Sequence, residues 1–175
     1  MAEDHFTPET AEEYYQLGMR HIYGDGVTED NIEAARLLTL AAEQGHVEAA
    51  YNLGICYHYG FGVEIDLPKA LDLYRFSADR GYAKGKHLVG RFYFNGWVVE
   101  QDYREAIRWF EASDALNDPS SCGFASCYLG VCSLRGLGME ADAAKARALF
   151  EKAAAQGGED AEKLTARLIA ETGNR

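Results

Sequence analysis

No run in the sequence approaches the roughly 18 uninterrupted apolar residues that a membrane-crossing helix requires, so no membrane partner is expected. The opening, MAEDHFTPETAEEYY, has neither the basic nor the apolar segment of an export signal, and a cytoplasmic protein is expected. Positive charge is also scarce: 17 Lys and Arg stand against 28 Asp and Glu, a net −11 at pH 7. Binding to a phosphate backbone or anionic lipid draws on clustered Lys and Arg, so no nucleic-acid partner is expected. Cysteine is sparse. Cys56, Cys122, Cys127 and Cys132 include no C-x-x-C pair, and His5, His21, His46, His58 and His87 are scattered, so reduced thiols, no metal and no cofactor are expected. His58 and His87 would face one side together but lack a third ligand.

Catalytic motifs are missing as well. There is no S-x-x-K, G-x-S-x-G, H-E-x-x-H or P-loop, so no enzyme is expected. The triplets GDG, GFG and GLG are each half of a dinucleotide fingerprint, but no strand precedes them.

What the chain does have is a repeat. Gly18, Gly54 and Gly90 are 36 residues apart and Gly130 follows after 40; the corner glycines Gly24, Gly60, Gly96 and Gly136 and the aspartates Asp30, Asp66, Asp102 and Asp142 keep the same register. A small residue follows at Ala34, Ala70, Ala106 and Ala146, then an apolar pair at Leu37-Leu38, Leu73-Tyr74, Trp109-Phe110 and Leu149-Phe150. Between corners the apolar spacing is three and four, as in Leu67, Ala70, Leu71, Tyr74 and Ala78, which is helical. Each unit is therefore a pair of helices, A and B, joined by a corner such as YGFGVEID (59 to 66). The first glycine ends helix A in the left-handed conformation. The second, Gly26, Gly62 or Gly138, turns the chain, Val27, Val63, Val99 or Met139 plugs the corner, and the aspartate caps helix B. Asp30 with Glu33 and Asp102 with Glu105 have capping-box spacing. Helix B should stop at Gly45, Gly81, Asn117 and Gly157, and Thr7-Pro8 marks the start of the first A helix. A hairpin cannot bury both its faces alone, so neighbours must stack. With 47% hydrophobic and 12% aromatic residues there is enough to fill one core. The expected fold is an all-α solenoid of about four helix-hairpin repeats (about 11–46, 47–82, 83–118 and 119–158), with a closing helix at about 159–172 carrying Leu164, Leu168 and Ile169 on one side, all in one domain, 1–175.

Repeat three departs from the pattern. Val98 replaces the second corner glycine, Asp114 stands where Ala42, Ala78 and Ala154 do, and four extra residues fall within NDPSSCGFAS. A surface insertion there is cheap, and a partner-contacting loop at 118–125 is the alternative.

The segment LGICYHYGFGVEIDLPKA, Leu53 to Ala70, resembles the repeat LGxxYxxGxGVxxDxxKA of the Sel-one-like repeat (SLR) proteins, relatives of the tetratricopeptide repeats, and the resemblance runs from about 11 to 157. It implies a right-handed α-solenoid whose concave side is lined by A helices and which acts as an adaptor for a protein or peptide partner. With Leu53 and Gly54 buried, helical spacing turns Tyr51, Ile55, His58 and Tyr59 to the inner side. The equivalent sets are Tyr15, Met19, Ile22 and Tyr23; His87, Arg91, Phe94 and Asn95; and Cys127, Val131, Leu134 and Arg135. Tyr, Met and Arg suit a binding interface, with Arg91 and Arg135 pairing to acidic groups, while packing between adjacent A helices is the other use for the tyrosines. Secreted members of the family carry a cysteine pair in every repeat and are described as binding or weakly hydrolysing β-lactams or muropeptides. Cys56 and Cys132 share a column but stand two repeats apart, beyond disulfide reach, and Cys127 and Cys132 do not face each other on one helix, so that subfamily is the alternative and not the expectation.

Overall fold

The computed structural model describes residues 8–118 and 123–173. His5, Thr7, Cys122 and residues 119–122 of the repeat-three insertion lie outside the described residues. Among the described residues there are eight helices and no strand: α1 (Ala11–Tyr23), α2 (Asn31–Glu43), α3 (Val47–Tyr59), α4 (Leu67–Asp79), α5 (Ala83–Asn95), α6 (Tyr103–Asp114), α7 (Phe124–Arg135) and α8 (Ala143–Gly173). The chain divides into two compact units, Met1–Arg80 and Gly81–Arg175. In the first, α1 pairs with α2 and α3 with α4, and the hairpins meet through α2 and α3. In the second, α5 pairs with α6 and α7 with α8, and the hairpins meet through α6 and α7.

The corners form as their residues require. Gly24, Gly60, Gly96 and Gly136 all adopt left-handed backbone (φ 67°, 78°, 72° and 66°) and send their N–H groups back to the preceding turn of helix A. The aspartate of each corner is tied twice. Its N–H bonds to a carbonyl near the end of helix A: Asp30 to His21 (3.1 Å), Asp66 to Tyr57 (2.9 Å), Asp102 to Tyr93 (3.0 Å) and Asp142 to Ser133 (2.8 Å). Its carboxylate accepts from the first free N–H groups of helix B, as Asp30 does from Ile32 and Glu33 at 2.9 and 3.0 Å. The capping boxes expected at Asp30 and Asp102 are only half made: the backbone N–H each glutamate would accept is already given to His21 or Tyr93, and Glu33 turns forward to Arg36 (2.7 Å) and Glu105 to Arg108 (3.0 Å). A complete box forms at the start of α1, where Thr10 and Glu13 bond reciprocally. The true cap of that helix is therefore Thr10, beyond Pro8. At the end of repeat four the break falls at Gly158 (φ 52°, ψ −136°) and not at Gly157, so α8 has two limbs.

Val98 is forced into the position that Gly26, Gly62 and Gly138 fill, at φ 54°. A β-branched residue is strained there by roughly 1–3 kcal/mol, against about 0.4–1 kcal/mol that glycine would return through the unfolded chain. Val98→Gly should therefore stabilise the protein by about 1 kcal/mol. The check is a higher urea midpoint at unchanged slope, and a lower one would show that the valine is not strained.

The glycine inside each A helix receives a side chain from its B helix. A Cβ on Gly54 would stand 2.6 Å from the Tyr74 ring and one on Gly90 2.6 Å from the Phe110 ring; Gly130 meets Phe150 in the same way, and Gly18 meets Leu38 at 3.3 Å. Only a bare backbone admits the ring that closely. The Ala34, Ala70, Ala106 and Ala146 column is buried beside it. Tyr74 and Phe110 are fully buried, each worth roughly 1.5–3 kcal/mol of transfer free energy.

Asp114, the acidic residue in an alanine column, is a tie between helices. It accepts a hydrogen bond from the Ser126 hydroxyl of α7 and pairs with Lys152 of α8 at 2.7 Å, joining repeats three and four. Gly123 (φ 66°) begins α7 in close contact with the Ala153 backbone, where a Cβ would stand 2.8 Å from the carbonyl oxygen.

Candidate partner-binding surfaces

In the first unit the inner positions of α1 and α3 are divided between packing and exposure. Tyr15, Met19 and Ile22 are half-buried against the core formed by Leu38, Leu53 and Cys56. Tyr15 also stacks on His46 at 4.4 Å, and His46 Nε2 lies 3.0 Å from Glu12. Tyr51 is half-buried with its ring 6.0 Å from Tyr74, and Ile55 is half-buried too. His58 Nδ1 is 3.3 Å from the Tyr74 hydroxyl, and its ring stacks on Tyr59 at 4.4 Å. The residues left in water are the last of each A helix: Tyr23 is 73% and Tyr59 48% exposed. Phe61, inside the GFG corner, is equally exposed and stacks on Tyr59 at 5.8 Å. Sequence reasoning passed over it because it treated the corner as a hinge.

The second unit differs from expectation. His87 is 7% exposed, its ring 5.8 Å from Phe110, 6.0 Å from Phe124 and 5.4 Å from Tyr128. Burial, with a smaller push from Arg91, pulls its pKa down to about 3, so it is neutral at pH 7. Arg91 is half-buried with its guanidinium 5.5 Å from the Trp97 ring. Asn95 donates to the Arg91 carbonyl (2.9 Å), and Arg135, although exposed, donates to the Ile169 carbonyl at 3.1 Å. Cys127 and Val131 are fully buried and Phe94 nearly so, so these three are core residues and line no open groove. The second limb of α8 covers this face of α7: Ala161 and Leu168 belong to the same core, and the Cys127 thiol lies 3.4 Å from the Ala161 carbonyl.

Behind that limb lies a cavity of about 370 Å³ lined by His87, Arg91, Phe124, Tyr128, Asp160, Lys163, Leu164 and Arg167. The sequence carried a signal for its basic wall, since Lys163 and Arg167 are four apart on a helix beside Leu164. Cys56, Cys127 and Cys132 are free and buried, which pushes the Cys56 thiol to about 11 and Cys132 to about 12 and leaves them unreactive near neutral pH. No group of three or more potential metal ligands occurs among the described residues, and no helix among them is long and apolar enough to cross a membrane.

A family model, that of the Sel1 repeat, matches residues 14–46, 47–82, 83–113 and 123–158. The chain belongs to the Sel1 repeat family. A crystal structure of a Sel1 repeat protein from Oxalobacter formigenes is 27% identical, with a TM-score of 0.81 over 89% of this chain and 60% of that one. A protective antigen of uropathogenic Escherichia coli strains displaying an SLR fold is also 27% identical, with a TM-score of 0.61 over 93% of this chain and 42% of that one. The chain thus spans less than two thirds of either relative. Among curated proteins none matches. Its fold class is the all-α solenoid of Sel1 repeats, and the doubly tied aspartate and the glycine that receives a side chain are the parts of that repeat which recur four times here.

Proposed function

We propose that this Sel1 repeat chain is a non-enzymatic adaptor that holds a partner protein or peptide on the A-helix face of its first unit. Sel1 repeat proteins generally mediate protein–protein interaction. The observation that carries the finer reading is the aromatic set at the ends of α1 and α3, where Tyr23, Tyr59 and Phe61 stand in water. Large aromatics buried on binding give much area for little lost side-chain freedom, so they serve as anchors. Free, buried thiols agree with a cytoplasmic setting.

The test is a photo-crosslinking residue placed at Tyr59 or, on the opposite side of the hairpin, at Asp72, in the native host. A partner should be captured from position 59 and not from 72, and Tyr59→Ala should weaken its binding by about 30-fold, roughly 2 kcal/mol, at unchanged melting temperature. Capture from position 72 with none from 59 would refute the assignment. Loss of binding on changing residues 118–125, with Tyr59→Ala binding normally, would move the site to the insertion.

A further inference from the structure

The cavity of the second unit has the chemistry of a ligand site. The chain as a whole carries a net −11, yet Arg91, Lys163 and Arg167 gather around this space against a single acidic residue, Asp160. Three cations meet at one space on an acidic chain, and two of them have a carboxylate beside them on their own helix. Lys163 does meet Glu159 at 2.8 Å and Arg167 meets Glu171 at 3.7 Å, but those side chains are 55–79% exposed and lie one turn apart on the same helix. Pairs of that kind are weak and exchange readily with a better-placed anion.

A second observation is independent of charge. His87 is buried, it lines the cavity, and its Nδ1 has no hydrogen-bond partner among the described residues. Buried polar atoms are normally satisfied; this one is enclosed by protein, so a ligand in the cavity reaches it only on a turn of the imidazole ring. Being neutral, His87 can present Nδ1 as an N–H donor without bringing a buried charge. The remaining wall is apolar, made by Phe124, Tyr128 and Leu164. About 370 Å³ lies within the range of pockets that hold small ligands or single side chains.

We propose that this cavity binds a carboxylate carried on an apolar stem, the charged end reaching Arg91, Lys163 and Arg167 and, on a turn of its ring, the His87 Nδ1, the stem covering Leu164 and the rings. A bare inorganic anion would leave those walls uncovered, and a dianionic phosphate would add charge facing Asp160. In a partner protein such a carboxylate is either the chain end or a Glu or Asp side chain. This source rests on the adaptor reading; the cavity's chemistry does not.

The test is an NMR titration of the isotope-labelled full chain at pH 7 and fixed ionic strength, following the His87 ring carbon-bound proton. The probes are N-acetyl-leucine, N-acetyl-leucinamide, the α-amide of N-acetyl-glutamate and inorganic phosphate. A saturable shift with N-acetyl-leucine or the glutamate derivative, at least tenfold weaker with N-acetyl-leucinamide and with phosphate, is expected. The tighter of the two carboxylates distinguishes chain end from side chain. Lys163→Gln with Arg167→Gln should weaken that binding about tenfold or more without altering the circular dichroism melt, both positions being exposed. No saturable shift, equal binding of N-acetyl-leucinamide, phosphate binding as tight as either carboxylate, or indifference to the double variant each overturns the proposal. Crosslinking at Tyr59 without carboxylate binding would remove this site alone, and carboxylate binding without that crosslink would remove the α1 and α3 surface alone.

Discussion

Gly62→Ala should lower stability by about 3 kcal/mol, near the upper end of what a single added methyl group can do. Two effects combine. The backbone at Gly62 has φ +71°, a conformation costing roughly 1 kcal/mol or more in any residue with a Cβ. In addition, the new methyl would overlap the Asn31 carbonyl group and stand 2.7 Å from the Ile32 nitrogen, so it strikes the first turn of α2, which is backbone and cannot swing away. Overpacking against immovable atoms typically adds 1–3 kcal/mol. For a chain of this size the melting temperature should fall by about 6–12 °C. Gly45→Ala is the matched control: φ is +89° but nothing lies within 4 Å of the new atom, so only the conformational part, about 1 kcal/mol, applies. Gly26 meets only the tip of the Arg20 side chain and should behave like Gly45. Equal urea midpoints for Gly62→Ala and Gly45→Ala would mean that the second corner glycine does not approach the neighbouring hairpin as described.

A comparably large effect is expected from pH. His87 titrates near 3 in the folded chain and near 6.5 in the unfolded one, because burial disfavours its charged form. Between these values the unfolded chain holds a proton that the native chain does not, so stability rises with pH through the window and is lost as pH falls below 6.5. The slope approaches about 1.4 kcal/mol per pH unit, and the loss between pH 6.5 and 4.5 is about 2 kcal/mol. Of the groups around the ring, Arg91, Lys163 and Arg167 oppose its protonation by charge and Asp160 favours it. Carboxylates whose pKa is lowered, such as Glu12, Glu13 and Glu33, act in the same direction but only below the ordinary carboxylate range. His87→Phe removes the histidine contribution. The difference between the two proteins in urea-unfolding free energy should grow as pH falls from 6.5 to 4.5. Because the larger ring could disturb its neighbours, the His87 resonance should also be followed directly and should remain that of a neutral ring down to about pH 4. Parallel pH profiles together with an ordinary titration near 6.5 would disprove the burial.

The corners were readable because each depends on few atoms. A glycine forced to positive φ, an aspartate before a helix and a valine or methionine between them act through local sterics and hydrogen bonds, and all three recur in register in the four corners. Capping boxes were less readable, since Glu33 and Glu105 have arginines one turn on that compete for the same carboxylates. Asp114 looked like a defect because its partners, Ser126 and Lys152, are 12 and 38 residues away. The same limit explains the binding face. Helical spacing tells which side of α5 or α7 a residue occupies, but not what covers that side. Tyr23 and Tyr59, at the ends of their helices, stayed exposed, whereas His87, Cys127 and Val131 became core as Phe124 and the second limb of α8 packed over them.

The glycine that receives a side chain has one more consequence, in the order of events during folding. In every hairpin the filling residue stands twenty positions after its glycine: Leu38 after Gly18, Tyr74 after Gly54, Phe110 after Gly90 and Phe150 after Gly130. The contact that sets each helix crossing therefore never waits for chain from another hairpin. Loops of such lengths close in well under a millisecond, while a ribosome adds about 5–20 residues per second. Each hairpin has more than a second in which to seat its own ring or leucine before the next is complete, so within each unit the second hairpin emerges to find the first already formed.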